Sequence, residues 1–291
     1  MTTWKKWVGD HPNYYVLPPE LAKLLAEYDL DGAELIEFDS ARFDEILTEV
    51  LRTATESVQP FGPPAYHGGA HFNDVVSNVR TLLAANDEQV PVAVQQALLF
   101  AAATHDYAHQ GATFRKDAVN GLPLPELGTD IATEQVSAIL ADELAERFGF
   151  SPAARMFIAR SIHATTFGNP SISPQSVLEK LLAAADVGPN DTFEDWLRKG
   201  VAVTFGEKPA KPAPTTLSGW LGNRMGFVDY YLANFVTEGK PQFVAAAVKL
   251  GWNDMLASHR AKLLSLKDGT AEPALTEIVK AMLPTSVDLA A

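Results

Sequence analysis

Residues 92–104 read VAVQQALLFAAAT, and His105 and Asp106 follow them directly. The run is apolar nearly all the way round a helical turn, a pattern typical of a helix buried on every side. Pro91 suits the first turn of such a helix, because its missing N–H is not needed there. We therefore expect a central buried helix that carries His105 and Asp106 at its C-terminal end.

Helical patterns continue outward from this segment in both directions. Apolar residues recur at helical spacing over residues 40–58 and again over residues 70–85. Ser151 and Ser173, each followed by proline, have the pattern of an N-cap with a first-turn proline. Strand-like alternation is scarce, so the predicted fold class is all-α. The other predicted helices cover residues 21–28, 131–147, 177–187, 193–205, 224–237, 242–266 and 271–282.

Composition excludes some functions and leaves others open. The 291 residues are 47% hydrophobic and 20% charged, as expected of a globular protein. Twenty-three basic against 36 acidic residues give a net charge of −13, which argues against binding to nucleic acid. A small anionic substrate is still compatible, because bound divalent cations reverse the local field. The absence of cysteine leaves histidine and carboxylate as the metal ligands.

The distribution of apolar and proline residues predicts the domain organisation. The N-terminus lacks the apolar segment of a signal peptide, and no apolar run reaches the ~18 residues of a membrane span. We expect a cytoplasmic protein without membrane contact. Residues 1–59 are predicted to form a helical extension packed on a main domain of residues 60–291, together making one structural unit. The proline-rich stretch 206–222 is predicted to be a mobile loop, either a lid or a plain connector.

Two groups of histidine and aspartate are candidate metal ligands. His67, His71 and Asp74 share one side of a helix if that segment is helical, because the spacings are four and seven residues. His105 and Asp106 are neighbours that point about 100° apart on a helix. They cannot serve one metal from a single face, which leaves room for a second metal bridged by the carboxylate. The alternative, ordinary hydrogen-bonded histidines, is disfavoured by this clustering.

The order His71, His105-Asp106, Asp186 resembles the H…HD…D signature of HD-domain metallohydrolases. More narrowly, it is similar to the class I 3′,5′-cyclic nucleotide phosphodiesterases, which implies a compact multi-helix bundle of that kind. Four motifs occur in order at suitable separations, so the resemblance is more specific than a lone HD dipeptide. The similar segments are residues 66–75, 99–111, 184–186 and 225–230, and the similarity covers roughly residues 60–250.

The resemblance implies roles for individual residues. His71, His105, Asp106 and Asp186 would hold a first metal, expected to be zinc, and Asp106 would bridge to a second, magnesium or manganese, with iron as another option. A hydroxide between the metals would attack the phosphate, and His67 would be the general acid for the leaving oxygen. Further implied positions are His109, Glu134 and Thr165, which would orient metal-bound water, and Tyr66, Arg224 and Phe227, which would contact the substrate.

The chain departs from the family where Arg224 stands in place of the purine-selective glutamine. Arginine has donors and no acceptor, so it cannot make the paired contact of that amide with a purine edge. It could bind a phosphate or carboxylate, or it could be a solvated helix residue. Phe227 would stack on a purine, and its other interpretation is a core aromatic residue.

The function predicted from the sequence is metal-dependent hydrolysis of a phosphate ester. A 3′,5′-cyclic nucleotide, converted to the 5′-monophosphate, is the leading substrate and would imply a role in signal transduction. The alternative enzymes are another HD-type nucleotide phosphohydrolase or a di-iron oxygenase. The alternative from another class is a phosphodiesterase-like protein that binds a ligand without turnover. His163 is expected to be structural or to line a pocket, and His11 and His259 are expected at the surface.

Overall fold

Eleven α-helices and no β-strand occur in the part of the chain that the structure, a computed structural model, describes. The described residues are 35–58, 66–107, 133–166, 176–188, 192–206 and 213–289. The predicted all-α class is confirmed. None of the described helices combines the length and apolar character needed to cross a bilayer. The helix predicted at residues 21–28 and the predicted surface residue His11 lie outside the described residues.

The helices follow one another with short connections where these are described. In chain order they are α1 (Ser40–Val58), α2 (Gly69–Ala85), α3 (Val92–Thr104), α4 (Thr133–Phe148), α5 (Pro152–His163), α6 (Val177–Asp186), α7 (Phe193–Val201), α8 (Leu217–Asn234), α9 (Ala245–Lys249), α10 (Trp252–Lys267) and α11 (Pro273–Met282). A π-helical segment, Ala202–Gly206, continues from α7.

The chain divides into two compact units, Met1–Gly188 and Pro189–Ala291. Helices α1–α6 belong to the first unit and α7–α11 to the second. The predicted boundary after residue 59 does not coincide with this division, because α1 packs on α2 and α3 within the first unit. The assignment of residues 60–291 to one catalytic domain stays a prediction.

Helix α3 lies at the centre of the first unit, as its sequence predicts. It packs against α1, α2, α4, α5 and α6, and every residue from Gln96 to Thr104 is buried. Because each fully buried large apolar side chain contributes about 1.5–3 kcal/mol, this helix is a major source of stability for the unit. Its C-terminal end, where His105 and Asp106 follow, is thereby held from several sides.

The caps of two helices in the first unit are well defined. Ser151 accepts a hydrogen bond from the Ala154 N–H at the start of α5, with Pro152 as the first helical residue, as predicted. Helix α6 begins later than Ser173, which lies outside the described residues. Its cap is Ser176, whose hydroxyl accepts from the Glu179 N–H while the Glu179 carboxylate accepts from the Ser176 N–H. This reciprocal capping box marks α6 more strongly than serine and proline alone.

In the second unit, the predicted loop over residues 206–222 is wrong for its last six residues. Helix α8 already begins at Leu217, where Thr216 accepts a hydrogen bond from the Gly219 N–H. Trp220 and Leu221 are buried on this helix, so their burial outweighs the poor helix propensity of the neighbouring glycines. The prolines of residues 207–212 lie outside the described residues.

The single helix predicted over residues 242–266 is also wrong, because the chain forms α9 and α10 there. Gly251 separates them with a φ of +73°, a left-handed conformation that only glycine adopts without cost. Apolar periodicity continues across the break, which is why the pattern predicted one helix.

Candidate metal centre

His105 is oriented by the last turn of the central helix. It follows Thr104, the final residue of α3, and its Nδ1 lies 2.8 Å from the carbonyl oxygen of Ala102. A carbonyl oxygen only accepts, so Nδ1 carries the proton of the neutral imidazole. Nε2 therefore presents a lone pair to the group that it faces, the orientation that a metal-binding histidine requires.

His71 comes from the first turn of α2, on the buried face of that helix. Helix α2 begins at Gly69 after an extended Gly68, so Tyr66 and His67 lie in the turn that precedes it. The expectation that His67 shares a helical face with His71 and Asp74 therefore does not hold.

Four side chains form a group that could bind a metal ion, His71, His105, Asp106 and Asp186. We refer to these four residues as the metal group. Their ligand atoms all lie within 4.8 Å of one another. His71 Nε2 is 3.1 Å from His105 Nε2 and 3.2 Å from both Asp106 Oδ2 and Asp186 Oδ1. His105 Nε2 is 3.0 Å from Asp106 Oδ2 and 3.3 Å from Asp186 Oδ1. The group joins the start of α2, the end of α3 and the end of α6.

Hydrogen bonding alone does not account for this arrangement. His71 Nε2 has three polar atoms at 3.1–3.2 Å, whereas one N–H can point at only one of them. The four ligand atoms converge on a common point instead of forming separate pairs. Convergence of nitrogen and oxygen ligands in this manner is characteristic of a metal site.

The distances fit a divalent ion. Metal–ligand bonds of about 2.0–2.2 Å place neighbouring ligand atoms about 3–3.5 Å apart in octahedral or tetrahedral geometry. The five distances given above, from 3.0 to 3.3 Å, fall in that range. Neutral imidazole with carboxylate suits zinc, iron or manganese.

The electrostatics keep both carboxylates ionised. Burial by itself would raise the pKa of Asp186, but the nearby His105 and His71 lower it to about 2. Burial likewise opposes ionisation of Asp106, and His105 and His67 outweigh it, so its pKa lies well below the usual value. Against the effect of its own burial, the two carboxylates raise the pKa of His105 well above 6.5. A metal ion bound here would therefore compete with a proton for the His105 imidazole.

His67 lies beside this group without belonging to it. Its Nε2 is 3.7 Å from Asp106 Oδ2, too long for a direct hydrogen bond, and its side chain is 16% exposed. The Tyr66 ring lies 4.7 Å from the His67 ring and 4.5 Å from the His71 ring, measured between centroids. The predicted roles of His67 in proton donation and of Tyr66 in substrate contact stay predictions.

Two of the three residues predicted to orient metal-bound water, Glu134 and Thr165, lie in the part of the chain that the structure describes. Burial, and then the charge of Asp106, raise the pKa of Glu134 on α4 to about 7, which places this carboxyl within the field of the metal group. Thr165 is buried and donates its hydroxyl proton to the Ile162 carbonyl at the end of α5. His109 lies outside the described residues.

Arg224 and Phe227, the predicted substrate contacts, are part of α8 in the second unit. The Arg224 guanidinium carbon lies 4.4 Å from the centroid of the Trp196 ring and 5.0 Å from that of the Phe227 ring. These contacts are cation–π interactions within the second unit. Arg224 is therefore half-buried against aromatic rings and is not the fully solvated residue that one interpretation allowed.

His259 was expected at the surface, and this expectation is wrong. It lies on α10 and is buried, with its ring 5.1 Å from that of Phe193 and 5.3 Å from that of Trp196. Helix α10 turns this residue towards α7, a contact that the sequence around His259 does not reveal.

One residue beside the metal group was missed by the sequence analysis. Asn78 lies on α2, two helical turns after His71, and donates to the backbone next to Asp186. Its spacing of seven residues from His71 was a usable signal, because residues i and i+7 share a helix face.

Comparison of the chain with family models, characterised proteins and solved structures found no match.

Proposed function

We propose that the protein is a metal-dependent phosphohydrolase of the HD-domain kind. The observation that carries the proposal is the convergence of His71, His105, Asp106 and Asp186 on one point, in the H…HD…D order along the chain. The lowered pKa of both carboxylates and the orientation of His105, whose Nδ1 donates to the Ala102 carbonyl, support it.

The residues of the group have distinct tasks in this proposal. His71, His105, Asp106 and Asp186 would hold the metal ion, and Asp106 would also serve a second ion. Zinc in the tighter site and magnesium or manganese in the other fit these ligands, and iron remains the alternative. A divalent ion supplies a Lewis acid for the phosphoryl group and lowers the pKa of a water bound to it.

His67 is proposed to donate a proton to the leaving oxygen. Its ring is beside Asp106 and more exposed than the ligands, so a substrate can approach it. Histidine is suited to this task near neutral pH, and His67 does not belong to the group of four candidate ligands.

The proposed substrate is a small anionic phosphate ester, with a 3′,5′-cyclic nucleotide as the first compound to test. One specific observation favours a phosphate ester of another kind. The guanidinium of Arg224 lies against the ring of Phe227, so a purine cannot stack on that face of the ring. A guanidinium suits a phosphate or carboxylate.

The test combines metal analysis with turnover of cyclic AMP, cyclic GMP, nucleoside mono- and triphosphates and an artificial phosphodiester. We expect bound metal and hydrolysis of at least one phosphate ester. Hydrolysis of the artificial diester without any cyclic nucleotide would support the chemistry and overturn the leading substrate. Protein that holds no metal, and binds none when zinc or manganese is added, would overturn the proposal.

Two variants separate metal binding from proton donation. His67→Asn should retain the metal and lose most turnover, whereas Asp106→Asn should lose the metal. Asp142→Asn is the matched control, because Asp142 is an equally buried carboxylate that bonds Arg155 away from the metal group. It should lower stability and leave the metal content unchanged.

A further inference from the structure

Asn78 is a buried amide on the face of α2 that also carries His71. The residue is 3% exposed, and Val75, Val79 and Leu82 around it on the helix are buried as well. Its Oδ1 atom has no hydrogen-bond partner among the described residues. A buried polar atom without a partner costs free energy, so core packing alone does not explain an asparagine at this position.

The amide nitrogen of Asn78 makes a hydrogen bond to a residue that is distant in the sequence. Asn78 Nδ2 donates to the carbonyl oxygen of Ala185 over 2.9 Å, across 107 residues of sequence. Ala185 is in the last turn of α6, where backbone carbonyls lack the usual intrahelical N–H partner. Two backbone N–H groups from the following turn also donate to this carbonyl, that of Val187 and, at 3.3 Å, that of Gly188. Asn78 adds a bond to this carbonyl from a neighbouring helix.

The bonded carbonyl is adjacent to a candidate ligand. Asp186 follows Ala185 directly, and its Oδ1 lies 3.2 Å from the Nε2 of His71 on the same helix as Asn78. Two polar contacts thus join α2 to the end of α6, one through His71 and one through Asn78. Both contacts constrain the position of that helix end.

We propose that Asn78 is a positioning residue that holds the end of α6, so that the Asp186 carboxylate meets His71 and His105. This inference rests on the proposed metal site and adds a residue that does not touch the ion. Groups that orient metal ligands contribute to affinity because a misplaced ligand must be moved back at a cost when the ion binds.

The test is binding of Zn²⁺ and Mn²⁺ to the full chain after removal of metal, measured by calorimetry or dye competition. Asn78→Leu keeps the size of the side chain and removes the donor, and we expect it to raise the metal Kd by about 10–100-fold. Should Asn78→Leu not yield folded protein by circular dichroism, Asn78→Ser is measured with the same expectation. Asn78→Gln retains an amide donor and should recover part of the affinity.

Gln96→Leu is the matched control. Gln96 is equally buried, and its amide bonds the backbone of Phe38 twice, at 2.8 and 3.0 Å and 58 residues away, but not the backbone beside a ligand. The Gln96→Leu variant should lower the unfolding midpoint of the protein and leave the metal Kd unchanged. A purely structural role for Asn78 would give the same result as Gln96→Leu.

The outcomes distinguish this inference from the proposed function. Wild-type protein that binds metal, with an unchanged Kd in the Asn78 variants, would overturn the positioning role alone. Wild-type protein that binds no metal would overturn the metal site and the inference together. A raised Kd in Asn78→Leu with unchanged affinity in Gln96→Leu is the result that supports it.

Discussion

Single histidines in this protein differ by what surrounds their rings. The imidazoles of His71 and His105 face carboxylates, and that of His105 is held by the Ala102 carbonyl. His163, at the end of α5, is fully buried, and burial lowers its pKa to about 4. His163 therefore stays neutral in the folded protein at neutral pH, and this has a consequence for acid stability.

Replacing His163 by leucine should weaken the loss of stability in acid. The unfolded chain takes up a proton near pH 6.5, whereas folded His163 does so only near pH 4, so stability falls as pH decreases between these values. The loss from this residue amounts to roughly 3 kcal/mol at pH 4.

Urea unfolding of wild type and His163→Leu at pH 7.5, 6, 5 and 4.5 measures this effect. The free-energy difference between the two proteins should shift in favour of the variant as pH falls. Parallel pH profiles would show that His163 is not the source of the acid sensitivity.

At the level of helices, contacts between neighbouring elements set the position of the metal group. Helix α2 carries His71 and begins at Gly69, against Thr55 of α1. A Cβ on Gly69 would lie 2.7 Å from Thr55 Oγ1 and 2.9 Å from Thr55 Cγ2, closer than side chains approach one another. Glycine is therefore required here by the close approach of two helices.

Gly69→Ala should lower the free energy of unfolding by about 1–3 kcal/mol, because α2 must move away from α1. Adding Thr55→Ala removes both close atoms and leaves Thr55 Cβ at 3.4 Å, so the double variant should recover part of the loss. Urea unfolding of the two single variants and the double variant measures the coupling.

Gly222→Ala is the control for this experiment. An added Cβ at Gly222 has no atom within 4 Å, so alanine should stabilise α8 by about 0.5–1 kcal/mol. Destabilisation of similar size at both glycines would contradict the packing explanation.

The guanidinium of Arg224 on α8 lies over the ring of Trp196 on α7 and over the ring of Phe227 on α8. Arg224→Lys replaces a planar group by a compact ammonium, which cannot stack on the rings in the same way, and should cost about 1 kcal/mol. Arg198→Lys is the control, since Arg198 is 63% exposed and pairs with Glu194 at the surface. Urea midpoints that fall equally in both variants would show that the stack adds no stability.

For the whole molecule, all four candidate metal ligands belong to the first unit, Met1–Gly188. Two ionised carboxylates come together there in a buried place, which is unfavourable unless a positive charge accompanies them. In the proposed function that charge is the metal ion, so the folded state and metal binding are linked.

Removing the metal with EDTA should lower the thermal midpoint of the protein. An ion that binds only the folded chain stabilises it by about 2.7 kcal/mol when its concentration is 100 times its Kd. Circular dichroism melts with and without EDTA, followed by readdition of Zn²⁺, measure the change. The Asp106→Asn variant should have the same thermal midpoint with and without EDTA. If EDTA lowered the midpoint of this variant as much as that of the wild type, the assignment of Asp106 as a metal ligand would be contradicted.

Much of the architecture could be predicted from local sequence patterns. The apolar run of residues 92–104 predicted the buried central helix, and residues 40–58 and Ser151-Pro152 predicted a helix and a cap that the structure contains. These features depend on residues three or four positions apart, which any sequence window includes. The pattern failed at Gly251 and at Leu217, where one left-handed residue or the burial of one tryptophan decided the helix boundary.

The sequence by itself determined the all-α class, the candidate histidine and carboxylate ligands and their order along the chain. Only the tertiary structure decided that His71, His105, Asp106 and Asp186 converge within 4.8 Å, that Asn78 reaches the Ala185 carbonyl, and that Arg224 lies on two aromatic rings. The physical reason is that helix formation depends on neighbouring residues, whereas these contacts join residues up to 115 positions apart through the packing of several helices.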